Sequence, residues 1–203
     1  MAVRDRLLGT RRGYAAFRRL IRADRSMKVI ADTYVRAPEG GRVLDVGCGP
    51  GDLARFLDGV EYVGVDHNAS YVNPRGSDEG TVDRRLIEAN IEELDQLDIG
   101  EFDVIVMLGV LHHLDEATAL GVCQAASRLL RPQGRLVTVD PAFDPQQRSI
   151  ARILMAMDRG RYVRHPWDYE RIVRSSLENL VMTVRHDLNP FPYSHCIVEG
   201  QNS

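Results

Sequence analysis

Along the chain, short continuous apolar runs alternate with segments whose apolar residues recur at i, i+3 and i+4, the signatures of buried strands and amphipathic helices. Val43-Leu44-Asp45-Val46 is the first run; it enters Gly47-Cys48-Gly49-Pro50-Gly51, after which Asp52-Leu53-Ala54-Arg55-Phe56-Leu57 opens a helix. Tyr62-Val63-Gly64-Val65 is the second run and Asp66 closes it; a helix begins at His67-Asn68-Ala69-Ser70 and breaks early at Asn73-Pro74-Arg75-Gly76. The third strand is placed at Arg85–Glu88. Phe102–Leu108 is the clearest strand, of the continuous kind found in central parallel sheets. After Gly109–Leu114, Asp115 caps a helix bearing Leu120, Cys123, Ala126 and Leu130, Arg131-Pro132-Gln133-Gly134 stops it, and Arg135–Asp140 is the next strand. This alternation predicts an α/β fold with a doubly wound, mostly parallel sheet, right-handed crossovers and helices on both faces.

The flanks differ. Tyr14 to Val35 carries an apolar stripe at Tyr14, Phe17, Leu20, Ile21, Met27, Ile30, Ala31 and Tyr34, which predicts one or two helices. Beyond Pro141, Gln147–Asp158 and Trp167–Leu177 read as added helices. Leu180–Asp187 and Ser194–Gly200, joined through Asn189-Pro190-Phe191-Pro192, read as strands close enough to pair antiparallel. The expected layout is a single domain over 1–203: helices in 1–41, a core in 42–140, added helices in 141–179 and a final β-hairpin in 180–203.

With 203 residues and 44% hydrophobic content the chain can bury one sizeable core. Its net charge of -3 hides arginines crowded at the start and acids from Asp78 to Asp103, so the whole is no polyanion binder, while the basic first segment stays open as one that could hold RNA. Cys48, Cys123 and Cys196 are sparse and lack metal-ligand spacing, which fits buried thiols in a reducing cytoplasm. No apolar run reaches the length of a membrane span. The arginine-rich start has no apolar stretch behind it, so it does not read as a secretory signal.

The chemistry concentrates after the first strand. Glycines at 47, 49 and 51 permit positive φ and expose the backbone to a ligand, and a helix start aimed there offers free N–H groups. Asp45 stands inside an apolar strand, where a carboxylate needs a cation or a donor. Asp66, ending the second strand, can accept both hydroxyls of a ribose. A dinucleotide loop would favour Gly-x-Gly-x-x-Gly, whereas position 52 is Asp. Asp45 would also repel a pyrophosphate and welcome an ammonium or sulfonium. Val43 to Gly51 followed by Asp66 resembles the class I S-adenosylmethionine-dependent methyltransferase family. The segment Leu129-Leu130-Arg131-Pro132-Gln133-Gly134-Arg135-Leu136 is similar to the same family, and the resemblance extends from about Arg42 to the C-terminus.

That resemblance implies a Rossmann-like fold, S-adenosyl-L-methionine as cofactor and S-adenosyl-L-homocysteine as product. It places Asp45, Gly47, Cys48, Gly49 and Gly51 at the methionine end, Asp66 at the ribose, Asn90 with Ile91 at the adenine, and Leu108 at the exit of the fourth strand into the site. Asn90 stands where the family commonly has aspartate; its carbonyl can accept the same hydrogen bond, and a plain turn residue is an equal reading. His67 either packs on the adenine edge or lies on the surface. The N-terminal helices form either a lid, with Tyr14 approaching the cofactor, or a solvated cover. His112 and His113, beyond the fourth strand, are candidates for a catalytic base, and only one of them can easily point inward. Some quinone-pathway methyltransferases that this region resembles carry Glu-x-x-Glu-His here and bind a divalent cation; Gly109-Val110-Leu111-His112-His113 lacks both carboxylates, so no metal is expected. Arg161 and Arg164 in the added segment, with Tyr193 and His195 near the end, are substrate candidates.

The expectation is methyl transfer from S-adenosylmethionine to a small polar acceptor, with oxygen favoured by the histidine pair. An RNA or N-methyltransferase and a non-catalytic adenosylmethionine-binding regulatory module stay open beside it. Nucleic acid is disfavoured by the acidic balance and by the lack of an appended nucleic-acid module, and the oligomeric state is left open.

Overall fold

A computed structural model describes residues 23–72, 83–145, 161–188 and 194–203. Tyr14, the break at Asn73–Gly76, the helix expected over Gln147–Asp158, the Asn189–Pro192 connection and Tyr193 lie outside these residues. The described chain begins with helix α1 (Ala23–Ile30), which runs into one π turn (Ala31–Val35) ended by Arg36 in left-handed geometry. Strands follow at β1 (Arg42–Val46), β2 (Glu61–Asp66), β3 (Asp83–Glu88), β4 (Phe102–Leu108) and β5 (Leu130–Pro141), and then β6 (Glu178–Arg185) and β7 (His195–Gln201). Helices α2 (Ala69–Val72), α3 (Glu116–Arg128) and α4 (Pro166–Arg174) lie between them.

The strands form a 7-stranded sheet in the order β3-β2-β1-β4-β5-β7-β6. β1 to β5 are mutually parallel, and β7 runs antiparallel to both β5 and β6. The order reverses between β1 and β4, so the chain leaves these neighbours in opposite directions and a crevice opens above their carboxyl ends.

Alternation along the strands divides the core between two faces. Leu44, Val46, Ile105, Met107 and Leu136 pack toward α3 and α4, against Ala119, Val122, Cys123, Ala126, Tyr169 and Ile172. Val43, Tyr62, Val104, Val106, Val137 and Ile197 pack on the other side against Ile30, Tyr34, Val35, Leu53 and Leu57. Helical segments thus cover both faces.

Several local expectations change. The helix expected from Asp52 is a 3₁₀ turn over Asp52–Phe56, begun by Gly51 at φ 71° and ended by extended Leu57. Leu53, Ala54 and Leu57 are buried by that single turn, so their spacing reports packing and not helix length. The Arg131–Gly134 stop persists, but as a bulge inside β5: Phe102 pairs with Leu130 and Val104 with Arg135. Gln133 takes φ 63° there. Finally, α4 starts one residue early, because Pro166 is suited to the first turn, and it ends at Arg174.

Candidate active site

The first wall of the crevice is the loop leaving β1. Gly47, Gly49 and Gly51 adopt φ of 71°, 54° and 71°, where a side chain would be strained. The loop is laid over the end of β2: Gly47 N and Cys48 N donate to Val65 O at 2.7 and 3.1 Å. Gly49 N donates to Asp66 Oδ2 at 2.8 Å, and Asn68 N to Asp66 Oδ1 at 2.8 Å. Asp66 therefore shapes the loop from the rim of the sheet. A Cβ on Gly47 would stand 2.8 Å from Val110 Cγ2, so glycine there lets the exits of β1 and β4 close on each other.

Beneath the loop lies a buried polar layer. Asp45 is 3% exposed, and its Oδ2 accepts from the Tyr62 hydroxyl at 2.6 Å. Burial pushes this carboxyl up to about 7; the Tyr62 hydrogen bond opposes the rise, Asp66 and Asp52 add to it, and Arg84 opposes it. The Cys48 thiol is raised by burial and then by Asp45 and Asp66. Arg84, opposite Tyr62 on β3, donates Nη2 to Pro50 O. The layer beneath the loop is thus rich in carboxyl groups, with Asp45 buried and bonded to Tyr62.

At the exit of β3, Asn90 caps the 3₁₀ turn Ile91–Gln96, its Oδ1 accepting from Glu92 N at 3.2 Å. The geometry of the turn residue is therefore present, and Ile91 packs half-buried against the α3/α4 core. The His67 side chain is 83% exposed, its Nδ1 3.7 Å from Asp66 Oδ1. Leu108 is half-buried at the end of β4.

Past β4, Gly109 N donates to Val139 O at 2.7 Å and the chain makes a 3₁₀ turn over Leu111–His113. The turn buries His112 and exposes His113, with the rings 4.0 Å apart at 40°. His112 Nδ1 lies 2.8 Å from Asp140 Oδ1, which also accepts from His112 N at 3.1 Å. A carboxylate partner assigns the proton of a neutral imidazole to Nδ1 and leaves Nε2 as the acceptor. Asp140 Oδ2 is buried without a hydrogen-bond partner among the described residues. A Cβ on Gly109 would lie 3.4 Å from His112 Cε1, so the ring edge faces the residue that follows β4.

Outside this pair a cleft of about 410 Å³ is lined by Glu92, His113, Leu114, Asp115, Thr118, Arg161 and Tyr162. Asp115 is tied into α3 as its N-cap, accepting from Thr118 N at 2.9 Å. Arg161 belongs to the cleft wall, whereas Arg164 braces the loop: it donates to Leu111 O at 2.6 Å, Leu114 O at 2.7 Å and Tyr162 O at 3.0 Å. Tyr162 N adds a bond to His112 O at 3.0 Å. His195 is half-buried at the start of β7. Among the described residues, no group of three or more His, Cys, Asp or Glu is arranged to hold a metal ion. No described helix is long and apolar enough to cross a membrane.

Three residues of this site had no role in the sequence reading. Asp140 closes an apolar strand just as Asp66 does, and that parallel was its available signal. Tyr62 and Arg84 gave none, since their partners are distant in sequence.

A doubly wound sheet, a glycine loop leaving β1 and an acid closing β2 match the fold of class I S-adenosylmethionine-dependent methyltransferases. The bare backbone of the loop and the carboxylate at its rim fit a ribose-bearing ligand. A family model described as a methyltransferase domain matches residues 14–181, and the chain belongs to that family. The ubiquinone biosynthesis O-methyltransferase of Paracidovorax citrulli (strain AAC00-1) is 28% identical over 148 residues, 68% of this chain and 59% of the relative. The protein of the same name from Alkalilimnicola ehrlichii (strain ATCC BAA-1101 / DSM 17681 / MLHE-1) is 30% identical over 148 residues, 68% and 57%. The chain thus spans under two thirds of the length of these relatives. Among solved structures, an S-adenosylmethionine-dependent methyltransferase, SibL, aligns with TM-score 0.72 at 19% identity, over 98% of this chain and 61% of its own. A methyltransferase from Archaeoglobus fulgidus aligns with TM-score 0.71 at 18% identity, over 93% and 99%. Both likenesses concern the fold.

Proposed function

We propose that this chain transfers a methyl group from S-adenosylmethionine to a hydroxyl oxygen of a small polar acceptor, with His112 as the base and Asp140 as its positioning residue. The observation carrying this reading is the buried His112–Asp140 pair at the exit of β4. When bound, S-adenosylmethionine supplies an electrophilic methyl on a sulfonium. The chain's own groups then divide the remaining work. Gly47, Cys48, Gly49 and Gly51 hold the methionine end above Asp45, Asp66 accepts from the ribose, and Ile91 packs at the adenine. Asn90 still has a lone pair on Oδ1 for the adenine amino group; His67 and Leu108 border that site. His112 Nε2 takes the acceptor's proton as the oxygen–methyl bond forms. Asp140 steadies the resulting imidazolium from a site where water cannot screen the charge.

The printed names of the curated relatives, O-methyltransferases of ubiquinone biosynthesis, favour oxygen and a small molecule. His113, Arg161 and Tyr162 line the adjoining cleft and serve as the acceptor side, with Arg164 holding their loop. The loop offers imidazoles where a hard divalent cation needs oxygen ligands, so the reading includes no resident metal. Buried, free Cys48, Cys123 and Cys196 suit a reducing cytoplasm.

Labelled S-adenosylmethionine incubated with fractionated cell extract tests the acceptor class: label should enter a small molecule at oxygen, and label found only in RNA, or nowhere, sinks it. For the base, His112→Ala should lower turnover about 10²- to 10⁴-fold with donor affinity unchanged. Asp140→Asn should lie on the same path, so the double variant is no slower than His112→Ala. A fully active His112→Ala variant removes the base.

A further inference from the structure

Below the glycine loop, one face of the sheet carries an unusual row. Arg84 of β3 stands opposite Tyr62 of β2, which stands opposite Val43 of β1; one row on, Asp45 stands opposite Gly64. Gly64 leaves room above it, filled by Cys48 Sγ and Leu86 Cδ2, each 2.7 Å from where a Cβ would be. The Arg84 side chain reaches up to the loop and donates Nη2 to Pro50 O. Its Nη2 and Cζ lie 2.6 and 3.1 Å from the place of a Cβ on Gly51, so the guanidinium fills the space beside that glycine. Arg84 Nε is buried and has no hydrogen-bond partner among the described residues. A guanidinium with a donor left over is costly in such a place unless nearby carboxylates offset it. Asp45 is one such carboxylate.

Asp45 is faced by Tyr62 and Asp66 from β2, by Cys48 and Asp52 from the loop and its turn, and by Arg84 from β3; its β4 partner is the apolar Val106. Arg84 is the cation acting on Asp45, Cys48 and Tyr62 alike.

We propose that Arg84 is a positioning residue of the donor site, which clasps the Pro50 carbonyl to hold the glycine loop and places a positive charge near Asp45 beneath it. This rests on the reading that the hollow receives S-adenosylmethionine. The clasp fixes the loop, and the charge opposes the burial that holds a proton on Asp45. Without it the acids around the loop repel one another, Asp45 holds its proton to higher pH, and the hollow meets the donor with less negative charge.

The test combines a ¹³C carboxyl titration of Asp45 in ligand-free protein with calorimetry of S-adenosylmethionine binding from pH 6 to pH 9, for wild type, Arg84→Met and Arg84→Lys. In Arg84→Met the Asp45 midpoint should rise above the wild-type value, and affinity at pH 7 should fall about tenfold and recover only in part as pH rises, because the clasp on Pro50 O is lost as well. Arg84→Lys should leave the midpoint near the wild-type value while losing affinity at every pH, since an ammonium keeps the charge but not the forked reach. This variant carries the test if the methionine form does not fold. An unmoved Asp45 midpoint in Arg84→Met, or a midpoint in Arg84→Lys displaced as far as expected for methionine, overturns the proposal. If the midpoint follows Arg84 but wild type binds no donor, the counter-charge stands and the methyltransferase reading of the hollow falls.

Discussion

Replacing Asp45 by asparagine exchanges a buried carboxyl for a neutral group of the same shape that can still accept from the Tyr62 hydroxyl. Burial raises this carboxyl from 3.8 to about 7 in the folded chain. Between those values the folded protein holds a proton on Asp45 that the unfolded chain has released, so folding takes up a proton. The contribution of Asp45 to stability is therefore fully present below the unfolded value and is lost as pH rises through the folded one. A separation of roughly three units corresponds to about 4 kcal/mol in total, of which about 2–3 kcal/mol falls between pH 5 and pH 8. Asparagine lacks this dependence. Urea denaturation of ligand-free wild type and Asp45→Asn across that range should show the variant gaining on wild type by this amount, whatever fixed offset the amide introduces. Parallel stability profiles would refute the reasoning. A cationic donor should reverse the trend in wild type: once Asp45 is ionised, S-adenosylmethionine should raise the melting temperature more at pH 8 than at pH 5, and the asparagine variant should lose that difference.

Gly47→Ala would place a methyl 2.8 Å from Val110 Cγ2 at a residue with φ 71°. It should cost about 1–3 kcal/mol and weaken donor binding, and a thermal melt at wild-type temperature with unchanged calorimetric affinity would contradict the loop geometry. Arg164→Ala frees the carbonyls of Leu111, Leu114 and Tyr162. Stability should fall by about 2 kcal/mol and turnover should drop with donor affinity intact; an unchanged melt with a raised KM for the acceptor would instead make Arg164 a substrate contact.

The doubly wound sheet was legible because continuous apolar strands and helical spacing are local patterns that need no knowledge of partners. Phe102–Leu108 is the same strand in sequence and structure, and Asp115 caps its helix as its position suggested. Element lengths were less legible. Asp52–Phe56 has apolar spacing suited to a helix, yet a single turn already buries Leu53 and Ala54. Arg131–Gly134 has the composition of a turn, yet the strand pairs on both sides of it.

The same division runs through the site. Glycine spacing and the acids at 45 and 66 are fixed by covalent order, so the sequence alone determined the strand, the bare loop and the two carboxylates beside it. Which groups oppose those carboxylates depends on strands that meet only after folding. Tyr62 and Arg84 reach Asp45 and its loop across the sheet, Asp140 meets His112 from the end of β5, and Arg164 ties down the turn between them. Sequence separation carries no record of such neighbours, because burial and register bring them together; whether Asp45 is charged, which face of His112 is free and what Arg164 holds were decided by the tertiary structure.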